Sequence, residues 1–215
     1  MSPQPPAGDP LWEGHEAGDG AVYACYQPQT DIFIYLWSAN PPAGAAQELT
    51  PEQVAQLALK KMVMKAIHVG LAPTPVEDDQ QSMGVIGVPV WMWVSNPDTP
   101  TYGPIAASAS AGSITVTATA TVERVVWNMG DGSKPIKCGK GTSYNSSVDG
   151  AKPSPDCGYT YQKASWDQPD HQYTVTATSH WRVDWSGAGQ SGTIRPDPLT
   201  ATVRIREGEL QVLTK

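Results

Sequence analysis

The residue types that could do chemistry are present in this sequence, but none falls at the spacing a reaction needs. The histidines are His15, His68, His171 and His180. None sits beside another His or a Cys at metal-ligand spacing, so no metal site is expected. Gly139-Lys140-Gly141-Thr142 resembles part of a phosphate-binding loop. That loop needs a glycine five residues before Gly139, where Lys134 stands, and Ser or Thr directly after the lysine, where Gly141 stands. Gly187-Ala188-Gly189-Gln190-Ser191-Gly192 matches the spacing of a dinucleotide fingerprint. It joins two strand-like runs, however, with no helix whose N-terminus could hold a pyrophosphate. A hairpin loop is the better reading, and no cofactor is expected.

No Gly-x-Ser-x-Gly elbow occurs for a nucleophilic serine. The loop aspartates Asp131, Asp149, Asp156, Asp167 and Asp170 lack the spacing of a calcium loop. Glu77, Asp78 and Asp79 read as a solvated run, and Glu13, Glu16 and Asp19 fall in an expected tail. No catalytic residue is assigned. What remains is aromatic. Trp91 and Trp93 share one face of a strand, as do Trp181 and Trp185. As exposed rows they would stack on sugar rings or anchor a partner protein; the alternative is that they fill cores.

The elements that would carry these residues are mostly strands. Two β-branched and aromatic runs, residues 21–26 and 32–37, flank Pro28-Gln29-Thr30-Asp31 and predict a hairpin. Thr50, Pro51 and Gln53 form a helix-start pattern, and Gly70 a stop, which predicts a helix over residues 51–69. Residues 84–94 are apolar, and Pro89 makes them an edge strand or a broken one. From about residue 104 onward the pattern is all β. Residues 113–122 alternate with threonine on one face, residues 124–127 form another strand, and residues 173–185 alternate again. The organisation read from this is a flexible tail at 1–20, an α+β module at 21–100, and a β-sandwich at 101–215.

Composition agrees. Gly and Pro number 20 each, which favours turns over helix interiors. Charged residues make up 16%, below the roughly 25% usual for globular domains. The net charge of −7 argues against a nucleic-acid partner, which would need clustered Lys and Arg. No apolar run approaches the ~20 residues of a membrane-spanning helix. Cys138 and Cys157 lie among turn residues of one expected domain; a disulfide is favoured over two reduced thiols. Cys25, in an alternating apolar run, reads as a buried free thiol.

Trp127-Asn128-Met129-Gly130-Asp131-Gly132 resembles the signature of PKD domains, an immunoglobulin-like sandwich family. Tyr159-Thr160-Tyr161 and Tyr173-Thr174-Val175 look like that family's later motifs, with Tyr159 where His is usual. Gly130 and Gly132 suit positive φ around a turn whose amides Asp131 can cap. The order of residues 88–94, 127–132, Cys138, 155–161, 181–185 and 208–213 is also similar to a family of exported actinobacterial proteins. That resemblance implies fold and export, with the Pro-rich opening read as the segment beyond a removed leader; it implies no mechanism. The reading is therefore an exported, non-catalytic protein for extracellular protein–protein interaction, adhesion or surface assembly. The alternative is a carbohydrate-binding module using Trp91, Trp93, Trp181 or Trp185, with a cell-wall polysaccharide as partner. A hydrolase stands behind both.

Overall fold

A computed structural model describes residues 3–42 and 49–210 of the chain. A 3-10 turn at Pro10–Trp12 precedes a hairpin of β1 (Ala21–Gln27) and β2 (Ile32–Ser38). Helix α1 (Pro51–Leu59) is followed by β3 (His68–Ala72), β4 (Gly84–Val85) and β5 (Val90–Ser95). A one-turn helix, α2 (Thr99–Tyr102), leads into β6 (Ile105–Ala111), β7 (Ile114–Asn128), β8 (Ile136–Cys138) and β9 (Gly158–Tyr159). Two further 3-10 turns precede β10 (Tyr173–Gly187), β11 (Gln190–Ile194), β12 (Leu199–Ile205) and β13 (Glu207–Gly208). The protein is mainly β and sandwich-like.

Its frame is an antiparallel sheet of six strands built on two long ones, β7 and β10, which pair from Val116↔Gly187 to Asn128↔Thr176. Strands β6 and β8 share the outer edge of β7, and β11 and β12 that of β10. Alternation along β7 buries Val116, Ala118, Ala120 and Val122, then switches phase to bury Val125 and Trp127. The switch coincides with a register irregularity opposite His180 and Trp181. A bulge adds one residue, so both halves of a 15-residue strand keep their apolar side on the same core. The sequence reading split this run in two at Glu123; it is one bent strand. The opposite face carries serine and threonine hydroxyls that pair across strands, as Ser108 with Thr117 and Thr178 with Thr200.

The second layer is composite. Helix α1 lies across β6 and β7. Ala55 and Ala58 on the helix meet a sheet surface that includes Ala109, Ala118 and Ala120, and small side chains on both sides allow a close approach. The antiparallel sheet β3–β5–β9 completes the layer, and Leu71, Val90, Met92 and Val94 join the same buried cluster as Trp127 and Trp181. The parts of 21–100 after the hairpin thus share their core with the sandwich instead of forming a separate module.

Three further expectations are corrected. The helix ends at Leu59, not at residue 69. Its start is as read, with Thr50 Oγ1 accepting from the Gln53 amide and the Gln53 side chain accepting from the Thr50 amide. Its end tightens at Met62, whose amide donates to Leu59, and residues 68–72 gain a full strand partner in β5, with Gly70 opposite Trp93. Gly70 is therefore a strand residue, not a helix stop. Pro89 does break the 84–94 run, but β5 beyond it is central in its sheet, not an edge. The tail is folded in its described part: Trp12 is buried, and its indole N–H donates to the Pro5 and Pro6 carbonyls. Residues 211–213 of the C-terminal motif lie outside the described residues.

Candidate functional site

The turn after β7 is held by its own side chains. Asn128 Oδ1 accepts from the Gly130 amide at 2.9 Å, and Asp131 Oδ1 accepts from the Ser133 amide at 3.0 Å. Gly130 sits at φ +78°, and a Cβ there would strike the Thr174 carbonyl, so the position requires glycine. Asp131 Oδ2 accepts from Tyr159 Oη at 2.5 Å, while Tyr161 Oη donates to the Met129 carbonyl at 2.6 Å. Tyr161 stacks on Tyr173 with ring centroids 4.5 Å apart. Partial burial pulls the Asp131 carboxyl upward, but the hydrogen bonds from Tyr159 and Ser133 outweigh it and hold the group below the usual carboxylate range. Burial pushes Tyr161 well above the ordinary phenol range. Such phenols stay neutral; Tyr159 is spent on Asp131, and Tyr161 and Tyr173 on backbone carbonyls. The cluster is a brace pinning the turn to β9 and β10.

Cys138 and Cys157 are joined, with Cα atoms 5.7 Å apart. The bridge closes a loop that is laid along β5. Trp91 Nε1 donates to the Lys152 carbonyl at 2.7 Å, and the Val94 amide to Lys140 at 2.7 Å. Thr142 donates through its amide and its hydroxyl to Asp156. Asp156 and Asp149 are thus turn acceptors, as their loop positions suggest.

The tryptophan rows are not exposed. Trp91, Trp181 and Trp185 are buried, and only Trp93 is partly open. For Trp181 and Trp185 the cause is the alternation of β10, which turns both toward the second layer. Trp91 is covered by Tyr144 of the disulfide loop, whose ring meets it edge-on at 5.4 Å. The surface expected on four tryptophans therefore reduces to Trp93.

The histidines are dispersed. His15 stacks on Trp37, His171 Nδ1 lies 2.6 Å from the Trp166 carbonyl, and His180 lies 3.3 Å from Arg124. Burial and then the Arg124 charge hold His180 below the ordinary imidazole range. No three potential metal-ligating side chains converge among the described residues.

Two features escaped the sequence. One is Glu207, 1% exposed, with neither carboxylate oxygen hydrogen-bonded. It sits in an Arg-Glu-Gly-Glu stretch that looks solvated, so no signal marked it. The other is the hairpin. Its pairing was legible, but its surroundings were not: Tyr26, Phe33, Tyr35, Ile32 and Ile34 are all exposed, Phe33 to 60%. Register places Tyr26 and Phe33 on one face with Tyr35, and Ile32 and Ile34 on the other. Cys25, opposite Ile34, is a free and half-buried thiol.

No described helix is long and apolar enough to cross a membrane. Comparison with protein families, with curated proteins and with solved structures finds no match to the chain.

Proposed function

We propose that the chain is an exported, non-catalytic protein of extracellular assembly whose hairpin β1–β2 is its contact with another protein. The observation that carries this reading is the exposure of apolar side chains on both faces of that hairpin. A two-stranded hairpin alone is marginal in water, and one with two apolar faces calls for a cover. The disulfide supports export, since such bridges persist in oxidising compartments.

The occupant this surface fits is a second copy of the chain. Five large side chains, each about half open, offer on the order of 500 Å² per copy. Two copies would cover about 1,000 Å², near the lower bound for a specific interface. The strands themselves carry no charged side chain, so the net charge of −7 resides elsewhere and does not oppose contact there. The alternative, a carbohydrate module built on a row of tryptophans, loses three of its four residues to the core.

Light scattering on the full chain across a concentration series tests this. A dimer that becomes monomeric in the Phe33→Ser/Tyr35→Ser variant, with the main melting transition unchanged, is the expected result. A wild-type monomer at several hundred micromolar overturns the reading.

A further inference from the structure

The half-open Trp93 belongs to a cleft of about 460 Å³ between β3, the connection that follows it, and the disulfide loop. We propose that this cleft is a binding site for a neutral or amino sugar unit, independent of the hairpin and of what the hairpin contacts.

The floor comes from a pairing of opposites in size. Gly70 lies across from Trp93 in the β3–β5 pair, and a Cβ at Gly70 would fall inside the indole ring. The ring therefore lies flat on β3 as a platform. An indole face is a surface of partial negative charge that suits the C–H face of a sugar ring. Tyr144, brought in by the disulfide loop, gives a second aromatic wall; its hydroxyl donates to the Gly150 carbonyl, which fixes the ring.

Polar residues line the cleft as well: Thr74, Asp78, Ser82, Trp93 and Ser95, each with side-chain donors or acceptors. The described hydrogen bonds include none to these side-chain atoms, although the neighbouring Glu77, Asp79 and Trp91 are all engaged. Donors and acceptors beside a flat apolar floor are what a polyhydroxylated ring requires.

Charge narrows the class. Asp78 is the ionisable acid among the lining residues, and no lysine or arginine lines the cleft among the described residues. Uronic, sialic or phosphorylated sugars would set like charge against Asp78 with no cation to offset it. A neutral sugar accepts from the indole and donates to the carboxylate, and an amino sugar adds a charged donor to Asp78.

Calorimetric titration of the full chain with cellotetraose, chitotetraose, the glucosamine tetramer and the galacturonic acid tetramer decides the matter. At least one of the first three should bind, and the uronate should not. Trp93→Ala should weaken binding tenfold or more, and Asp78→Asn severalfold, most for the amino sugar. Asp78 is exposed, so its variant remains informative if Trp93→Ala fails to fold. No binding by the first three, preferred binding of the uronate, or affinity unchanged in the variants would each overturn the proposal. The Phe33→Ser/Tyr35→Ser variant should bind sugar like the wild type, which separates this site from the hairpin.

Discussion

The carboxyl group of Glu207 lies against the α-carbon of Gly84, its partner in the parallel pair of β13 and β4, and a methyl group on Gly84 would overlap its oxygens. The connection from β3 to β5 is strapped to the end of β12 and to β13 at this point. The Val76 amide donates to the Arg204 carbonyl, that of Gly84 to Arg206, and that of Ile86 to Gly208. Arg204 is paired with Glu77 at 2.8 Å, and Arg206 donates to the Gln80 carbonyl, so neither cation turns toward Glu207. The titratable groups that interact with it are the phenols of Tyr161 and Tyr173, which are neutral.

Burial alone pushes the Glu207 carboxyl up to about 7 from an ordinary 4.5. Between these two values the folded chain keeps a proton that the unfolded chain has lost, so stability falls as pH rises through that window and then levels off. The full effect is at most about 3 kcal/mol. Glu207→Gln should flatten this slope and raise the melting temperature at pH 8 relative to wild type. Chemical denaturation at pH 5, 6, 7 and 8 measures it, and parallel slopes in the two proteins would refute the assignment.

Gly84→Ala should destabilise by roughly 1–3 kcal/mol, since the strap cannot move without losing its backbone hydrogen bonds and the Glu207 side chain it would press on is buried. Gly87, in the same strap, has open space around it and φ +81°, so Gly87→Ala carries only the backbone cost, about 1 kcal/mol. The contrast between the two melting temperatures is the measurement.

Asp131 gives the opposite pH dependence. Its carboxyl is held low by Tyr159 and Ser133, so its contribution is present above the ordinary value of 3.8 and disappears as pH falls below it. Asp131→Ala should cost about 1–3 kcal/mol at pH 7 by leaving the Ser133 amide and the Tyr159 hydroxyl without their acceptor. The wild-type advantage over this variant should shrink at pH 3, as thermal melts at both values would record.

These positions show how far a sequence reading reaches. The alternation at 113–122 and 173–185 was legible because one face of each strand meets a core and the other meets water. The 130–132 turn was legible because glycine flanking an aspartate has few other uses. The helix end was not. Residues 60–69 carry apolar side chains at helical spacing, and only the distant strand at 90–95 decides that 68–72 extends. Burial of Trp91 depends on Tyr144 arriving from a loop more than fifty residues away. Glu207 is invisible to any periodicity, because its burial comes from the strap that crosses it. Trp93 could be named from sequence, but its platform needed Gly70 across the ladder, and that residue had been read as a helix stop.

Thr50→Ala should cost about 1 kcal/mol, the usual worth of an N-cap hydroxyl. The hydroxyl accepts from the Gln53 amide at 3.2 Å, and the Gln53 side chain answers at 2.8 Å. Because α1 packs on β6 and β7 in the common core, this loss should appear as a shift of the main unfolding transition. A separate early transition for the helix would show instead that α1 is not part of the cooperative unit.

Reduction of the Cys138–Cys157 bridge should act on both stability and the cleft. The crosslink spans 19 residues, for which the loop-closure estimate is about 3 kcal/mol. The loop it closes carries Tyr144, one wall of the cleft, and Lys152, whose carbonyl holds the Trp91 indole. Cys138→Ala/Cys157→Ala should therefore lower the melting temperature and expose the loop to protease near residues 140–156 before the body is cut. Sugar affinity should fall severalfold at temperatures where the sheet is still folded. A reduced chain that melts lower yet keeps full affinity would show that Tyr144 holds its place without the bridge.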